Sequence, residues 1–209
     1  MNAAHTIITI GREYGSGGRE IGELVARKLN LPFYNKEILT RAAADSGLCA
    51  ELFERNDEKA AVGSMLTGSV GAGVHLSGTP LGLQMPLNQR VFLAQFDAIT
   101  KLAAEGSCVI VGRCADYVLR ELKGVTHVFI YASMEARIQR IMRVENLPYD
   151  KAKELVRTVD KQRKSYYNFF ADGNWGMRSN YDLMLCTDGR DTDALAQSIV
   201  DFAAIHKAE

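Results

Sequence analysis

Gly11-Arg-Glu-Tyr-Gly15-Ser-Gly-Gly18-Arg-Glu20 lies between an apolar, β-branched run, Thr6-Ile-Ile-Thr-Ile10, and a helical pattern, Glu20-Ile-Gly-Glu-Leu-Val-Ala-Arg-Lys-Leu29. The order is strand, glycine-rich turn, helix. Glycine tolerates positive φ, so several backbone N–H groups can converge on one anion, and the start of the next helix adds partial positive charge. Gly15, Ser16, Gly17 and Gly18 are therefore the candidate cradle for nucleotide phosphate. The pattern G-x-x-x-x-G-K-[ST] is not met, because Gly18 stands where the lysine belongs and no Ser or Thr follows it. G-x-G-x-x-G is not completed either, and Tyr34-Asn35 puts no acidic residue at the end of a second strand, which sets a dinucleotide-dependent dehydrogenase aside.

Outward from this turn, the apolar segments Thr6–Ile10, Cys108–Gly112, Thr126–Tyr131 and Asp182–Cys186, with a shorter one near Pro32–Tyr34, alternate with helical patterns. The helical patterns fall at about 19–29, 36–45, 48–60, 88–105, 134–146, 149–171 and 191–207. Near-continuous apolar strands suit burial on both faces, and alternation with helices predicts an α/β fold with a parallel sheet. Ligands of such sheets sit beyond the carboxyl ends of the strands. Residues 61–86 break the rhythm with many Gly and Ser and little charge. They read as a flexible insertion: a lid, a binding loop, an oligomer contact or a plain connector. His75 within it has no sequence neighbour to act as a catalytic partner.

The chain of 209 residues, 47% hydrophobic and 24% charged, fits one domain over 1–209 with an insertion. Its 25 basic and 25 acidic side chains balance, so no overall positive field draws it to nucleic acid or to an anionic membrane, and any anion site must be local. No apolar run approaches the roughly 18 residues of a membrane span, and Met-Asn-Ala-Ala-His lacks the features of a signal peptide, so a cytoplasmic location is expected. Cys49, Cys108, Cys114 and Cys186 form no C-x-x-C pair and no metal-ligand spacing, which reads as reduced, buried or incidental thiols.

Arg113 follows the strand Val109-Ile-Val-Gly, where a guanidinium can reach the ligand crevice or pair with a carboxylate such as Asp116. Arg137, Arg140 and Arg143 recur every three residues, followed by Arg157, Lys161, Arg163 and Lys164. At this spacing they either close over polyphosphate as a lid or form a solvated face neutralised by Glu135, Glu145, Asp150 and Glu154. Asp160 and Arg163, three apart, form an orienter-and-phosphate pair if both face inward. Arg41 is a candidate for acceptor phosphate, or else a helix-surface partner of Glu37. Tyr166, Tyr167, Phe169 and Phe170 are explained by helix packing more simply than by nucleic-acid binding.

In order and spacing these pieces resemble the cytidylate kinase family, and more closely its divergent cytidylate kinase-like branch among the P-loop nucleoside monophosphate kinases. Ile8–Glu20 resembles the strand and phosphate loop, Tyr34–Arg41 the segment carrying Asp-Ser-Gly and an arginine, and Gly112-Arg113 the Gly-Arg-Asp element. Tyr131–Arg143 resembles the strand and lid helix, Asp160–Arg163 the Asp-x-x-Arg pair, and Asp182–Asp188 the last strand with its Thr-Asp exit. The resemblance implies a three-layer α/β/α fold of the P-loop type, a five-stranded parallel sheet, a helical lid over about 134–171, and transfer of the γ-phosphoryl of Mg-ATP to a nucleoside monophosphate such as CMP. It places donor phosphates on Gly15, Ser16, Gly17 and Gly18, acceptor and transferring phosphates on Arg41, Arg113 and Arg163, and lid duties on Arg137, Arg140 and Arg143 with Asp160 as orienter.

The chain departs from that pattern at Gly18 for lysine, Glu20 for the hydroxyl near Mg²⁺, Asn35-Lys36 for Asp-Ser and Cys114 for the aspartate after Gly-Arg. Arg19 is the candidate for the missing positive charge, and Glu20 the candidate Mg²⁺ ligand, since hard cations take carboxylate oxygen. Two other readings share the fold: a nucleotide- or anion-binding module without catalysis, and a kinase for a different small-molecule acceptor with 61–86 shaping the pocket. A second copy of the chain docked through 61–86 is a further expectation.

Overall fold

In the computed structural model, residues 5–47, 87–171 and 173–206 are described. The expected helix at 48–60, the 61–86 insertion with His75, and Cys49 lie outside them. Among the described residues are five strands, β1 (Ile7–Arg12), β2 (Phe33–Tyr34), β3 (Cys108–Val111), β4 (Val125–Tyr131) and β5 (Leu183–Cys186). Seven helices accompany them: α1 (Gly18–Leu29), α2 (Glu37–Ser46), α3 (Leu87–Glu105), α4 (Ala115–Val118), α5 (Met134–Glu145), α6 (Tyr149–Phe170) and α7 (Thr192–His206).

The strands form one sheet in the order β2-β3-β1-β4-β5, and every pairing is parallel. Alternation along each strand divides the core in two. Ile8, Ile10, Val109, Val111, Val128 and Ile130 pack against Ile21 and Val25 of α1 and Ala196 and Ile199 of α7. Ile7, Cys108, Ile110 and Val125 face the other way, onto Ile38 of α2 and Ala98, Ile99 and Leu102 of α3. This is the three-layer α/β/α arrangement, with a sheet covered on both faces as its β-branched composition requires. Burial also pushes the Cys108 thiol up to about 11, so it stays protonated within the core.

Two features of the sheet position the site. β1 is central and runs two residues beyond the apolar run, through Gly11 and Arg12, because those residues pair with Phe129 and Ile130 of β4. α5 and α6 form a hairpin turned by Asn146 in the left-handed region (φ 51°) and by Pro148, with Ile138, Ile141, Ala152 and Val156 buried between them. Partly buried Tyr14, from the turn after β1, packs into that same cluster and ties the hairpin to the glycine loop.

Candidate active site

The loop between β1 and α1 is built from its own backbone. Ser16 is buried, its Oγ donates to the Glu13 carbonyl at 2.8 Å, and its carbonyl accepts from Thr187 Oγ1 at 3.0 Å. Gly17 holds the left-handed conformation (φ 83°) from which α1 starts, a position where any other L-residue would be strained. The N-cap Gly17 has no side chain to cap α1 and the Gly18 N–H makes only a long bond of 3.4 Å to Ser16 Oγ, so the first turn can take an external acceptor at the carboxyl end of the central strand.

The hairpin leans directly on this loop. Arg137 is buried and reaches two loop groups and one on α6: its Nη1 ion-pairs with Asp160 of α6 and donates to the Tyr14 carbonyl at 3.5 Å, while its Nε lies 3.3 Å from Glu13 Oε2. Asp160 also accepts from the Tyr14 N–H at 2.7 Å, so the expected orienter grips Arg137 and the loop backbone. Arg163 donates to the Arg12 carbonyl at 3.2 Å, with its guanidinium 5.6 Å from the centre of the Tyr14 ring. Arg140 ion-pairs with Glu20 across the lip of the loop. Arg143, Arg157, Lys161 and Lys164 are exposed, so the charged stretch divides into an inward set and a solvated one. Burial raises the Glu13 carboxyl above its ordinary range, against the opposing pull of the Ala132 N–H and of Arg137.

Beside the loop, at the ends of β1 and β3, lies a cleft bordered by Arg12, Arg113, Asp116, Arg163, Trp175 and Tyr181. Gly112, Arg113 and Cys114 take φ of 77°, 53° and 55° in succession, a left-handed run that costs non-glycine residues about 1–3 kcal/mol each. It swings Arg113 inward, where its Nη1 donates to Asn35 Oδ1 at 2.8 Å and to the Val111 carbonyl at 3.2 Å. Buried Asp116 accepts from Tyr167 Oη at 2.7 Å. Tyr181 points its buried hydroxyl toward the same carboxyl without completing a hydrogen bond. Desolvation raises Asp116 above the ordinary aspartate range, and desolvation together with the Asp116 charge raises both tyrosines, which therefore stay protonated.

Three expectations need correction or completion. Arg19 is exposed on α1 and bonds Glu23 at 2.9 Å; the guanidinium lying on the loop belongs to Arg140. Arg41 bonds Asp45 at 3.4 Å and Glu105 at 2.6 Å in place of Glu37, whose carboxylate accepts the Asn35 N–H at 2.8 Å. Glu20, the candidate metal ligand, holds Arg140, and among the described residues no group of three His, Cys, Asp or Glu side chains is placed to hold a metal. Sequence reasoning missed Arg12, Trp175 and Tyr181, and named Asp116 only as a partner or orienter of Arg113. The helix-packing account of the aromatic cluster holds: Phe170 stacks on Phe92 at 4.2 Å and Tyr166 meets Phe92 edge-on at 6.2 Å.

A parallel sheet with a glycine loop after its central strand, opening α1 beneath arginines from two following helices, is the architecture of P-loop kinases. The chain belongs to the cytidylate kinase-like family, which it matches over residues 7–189. No curated protein matches it. Among solved structures, an uncharacterized protein from Eubacterium ventriosum ATCC 27560 superposes with a TM-score of 0.69 at 26% identity, over 96% of this chain and 99% of its own. Shikimate kinase from Acinetobacter baumannii in complex with shikimate gives 0.54 at 16% identity, over 100% and 97%. A gluconokinase from Sinorhizobium meliloti 1021 gives 0.52 at 14% identity, over 97% and 94%. The last two share the fold. Among the described residues, no helix is long and apolar enough to cross a membrane.

Proposed function

We propose that the chain is an ATP-dependent phosphotransferase that moves the γ-phosphoryl group to a small acceptor held in the arginine-bordered cleft, with a nucleoside monophosphate such as CMP as the first acceptor to consider. The observation that carries this reading is the adjacency of two candidate anion sites: the glycine-opened start of α1, and the cleft bordered by Arg12, Arg113 and Arg163. Phosphoryl transfer asks a protein chiefly to align two anionic reactants and offset their charge, and two adjoining anion sites do that.

The donor side fits polyphosphate through backbone N–H groups of the loop and first turn, with Arg140 beside them. Mg-ATP would supply the transferred group, and Mg²⁺ would offset charge on its phosphates with Glu20 as the candidate carboxylate to hold it; Mg²⁺ needs only one or two protein carboxylates when phosphates complete its shell, so a full protein cage is not required. Arg163, anchored on the Arg12 carbonyl, stands where the two sites meet and can follow charge as it moves to the acceptor. Arg137 and Asp160 fix the hairpin against the loop and act as positioning residues. Asp116 favours a second acceptor class. A hydroxyl acceptor must lose a proton, and a cleft carboxyl raised by burial is suited to accept it, whereas a monophosphate acceptor needs no base.

The test is incubation of the full chain with Mg-ATP and CMP, dCMP, UMP, AMP, shikimate or gluconate in turn, with chromatographic measurement of phosphorylated product. Acceptor-dependent product that Arg163→Ala removes supports the reading and names the acceptor. ATP binding without turnover of any acceptor favours a nucleotide-binding module.

A further inference from the structure

The loop lacks a lysine because the structure has no space for one. A Cβ at Gly18 would lie 2.6 Å from Arg12 Cβ and 3.2 Å from Ile130 Cβ, both fixed to paired strands. One residue earlier, a Cβ at Gly17 would stand 3.0 Å from Arg140 Cζ and 3.1 Å from both of its terminal nitrogens. The Arg140 guanidinium therefore lies close against the loop backbone at Gly17.

Its carrier is held firmly. Arg137, one turn earlier on α5, is locked by Asp160, Glu13 and the Tyr14 carbonyl, and Ile138 and Ile141 are buried against α6. Arg140 is 28% exposed and its partner Glu20 is 52% exposed, so the pair sits at the solvent edge of the loop, where ion pairing is weak and exchangeable. Glu20 belongs to the first turn of α1, where a carboxylate is also favoured by the helix dipole, as an arriving phosphate would be. Arg19 is 65% exposed and engaged with Glu23.

We propose that Arg140, delivered from α5, supplies the positive charge that other phosphate loops carry on lysine, and that Glu20 is its resident counter-ion, displaced when a polyphosphate enters. Glu20 then competes with the donor for Arg140. This rests on the donor site proposed above and specifies how that site is charged.

The experiment is calorimetric titration of the full chain with sodium tripolyphosphate, without divalent metal, on the wild type, Glu20→Gln, Arg140→Ala and Arg19→Ala, each checked for a native melt. Arg140→Ala is expected to weaken binding by about tenfold or more and Arg19→Ala by less, while Glu20→Gln tightens it about threefold, in line with the strength of charge-assisted contacts to phosphate. A gain of affinity cannot come from misfolding. Unchanged or weaker binding by Glu20→Gln overturns the proposal, as does an Arg19→Ala loss larger than that of Arg140→Ala, or no binding by the wild type. If the variants behave as expected while no acceptor is phosphorylated, the charge assignment stands and the kinase reading fails.

Discussion

Replacing Gly18 by alanine sets two effects of known size against each other. Alanine gains up to about 1 kcal/mol over glycine inside a helix, less in a first turn, and Gly18 is the first residue of α1. Against this, the new Cβ would lie 2.6 Å from Arg12 Cβ and 3.2 Å from both Arg12 Cγ and Ile130 Cβ, well inside the roughly 3.5–4.0 Å of good carbon contacts. Arg12 and Ile130 are register partners on β1 and β4, so neither Cβ yields without a shift of the sheet. Overpacking of this kind costs about 1–3 kcal/mol and exceeds the helix gain, leaving a net loss of about 1–2 kcal/mol. For a chain of this size that lowers Tm by about 2–8 °C. Thermal and urea unfolding followed by circular dichroism measure it. Gly18→Lys carries the same Cβ, so it is expected to destabilise at least as much and to leave tripolyphosphate affinity unimproved. Unchanged or higher stability of Gly18→Ala, or tighter binding by Gly18→Lys, refutes the steric argument.

Burial raises Asp116 above its reference of 3.8, so the folded chain holds this proton to higher pH than the unfolded chain does, and the group's contribution falls as pH rises through that window. Asparagine keeps an oxygen for Tyr167 and removes the titration. Asp116→Asn should therefore gain on the wild type as pH rises above the ordinary aspartate range, read from urea midpoints; a difference independent of pH contradicts this. Thr187→Val removes the bond to the Ser16 carbonyl and should cost about 1 kcal/mol in stability, with several-fold weaker binding of a non-hydrolysable Mg-ATP analogue. Identical melts and affinities for the two proteins would discount that anchor.

The sheet was legible because its three central strands, β1, β3 and β4, carry β-branched residues on both faces and helical patterns separate the strands. α4 was not, since four residues hold no periodicity and its start depends on the left-handed run through Arg113 and Cys114. The glycine loop was legible as a motif, but its charge was not. Sequence adjacency pointed to Arg19, whereas the guanidinium placed near the loop backbone through space is that of Arg140. Steps of three along a helix rotate by about 60° each, so Arg137 faces the loop, Arg140 its lip and Arg143 solvent, a difference hidden in equal spacing. The Asp116, Tyr167 and Tyr181 cluster joins three separate segments through the fold, and no local pattern announces it.

Phosphoryl transfer itself is tested most directly by ³¹P NMR of the full chain with Mg-ATP and each acceptor of the panel, beside Arg163→Ala. The account predicts a new phosphoryl resonance and matching ADP with at least one acceptor, both lost in the variant. ATP that persists unchanged with every acceptor, or product that forms equally well with Arg163→Ala, would contradict it.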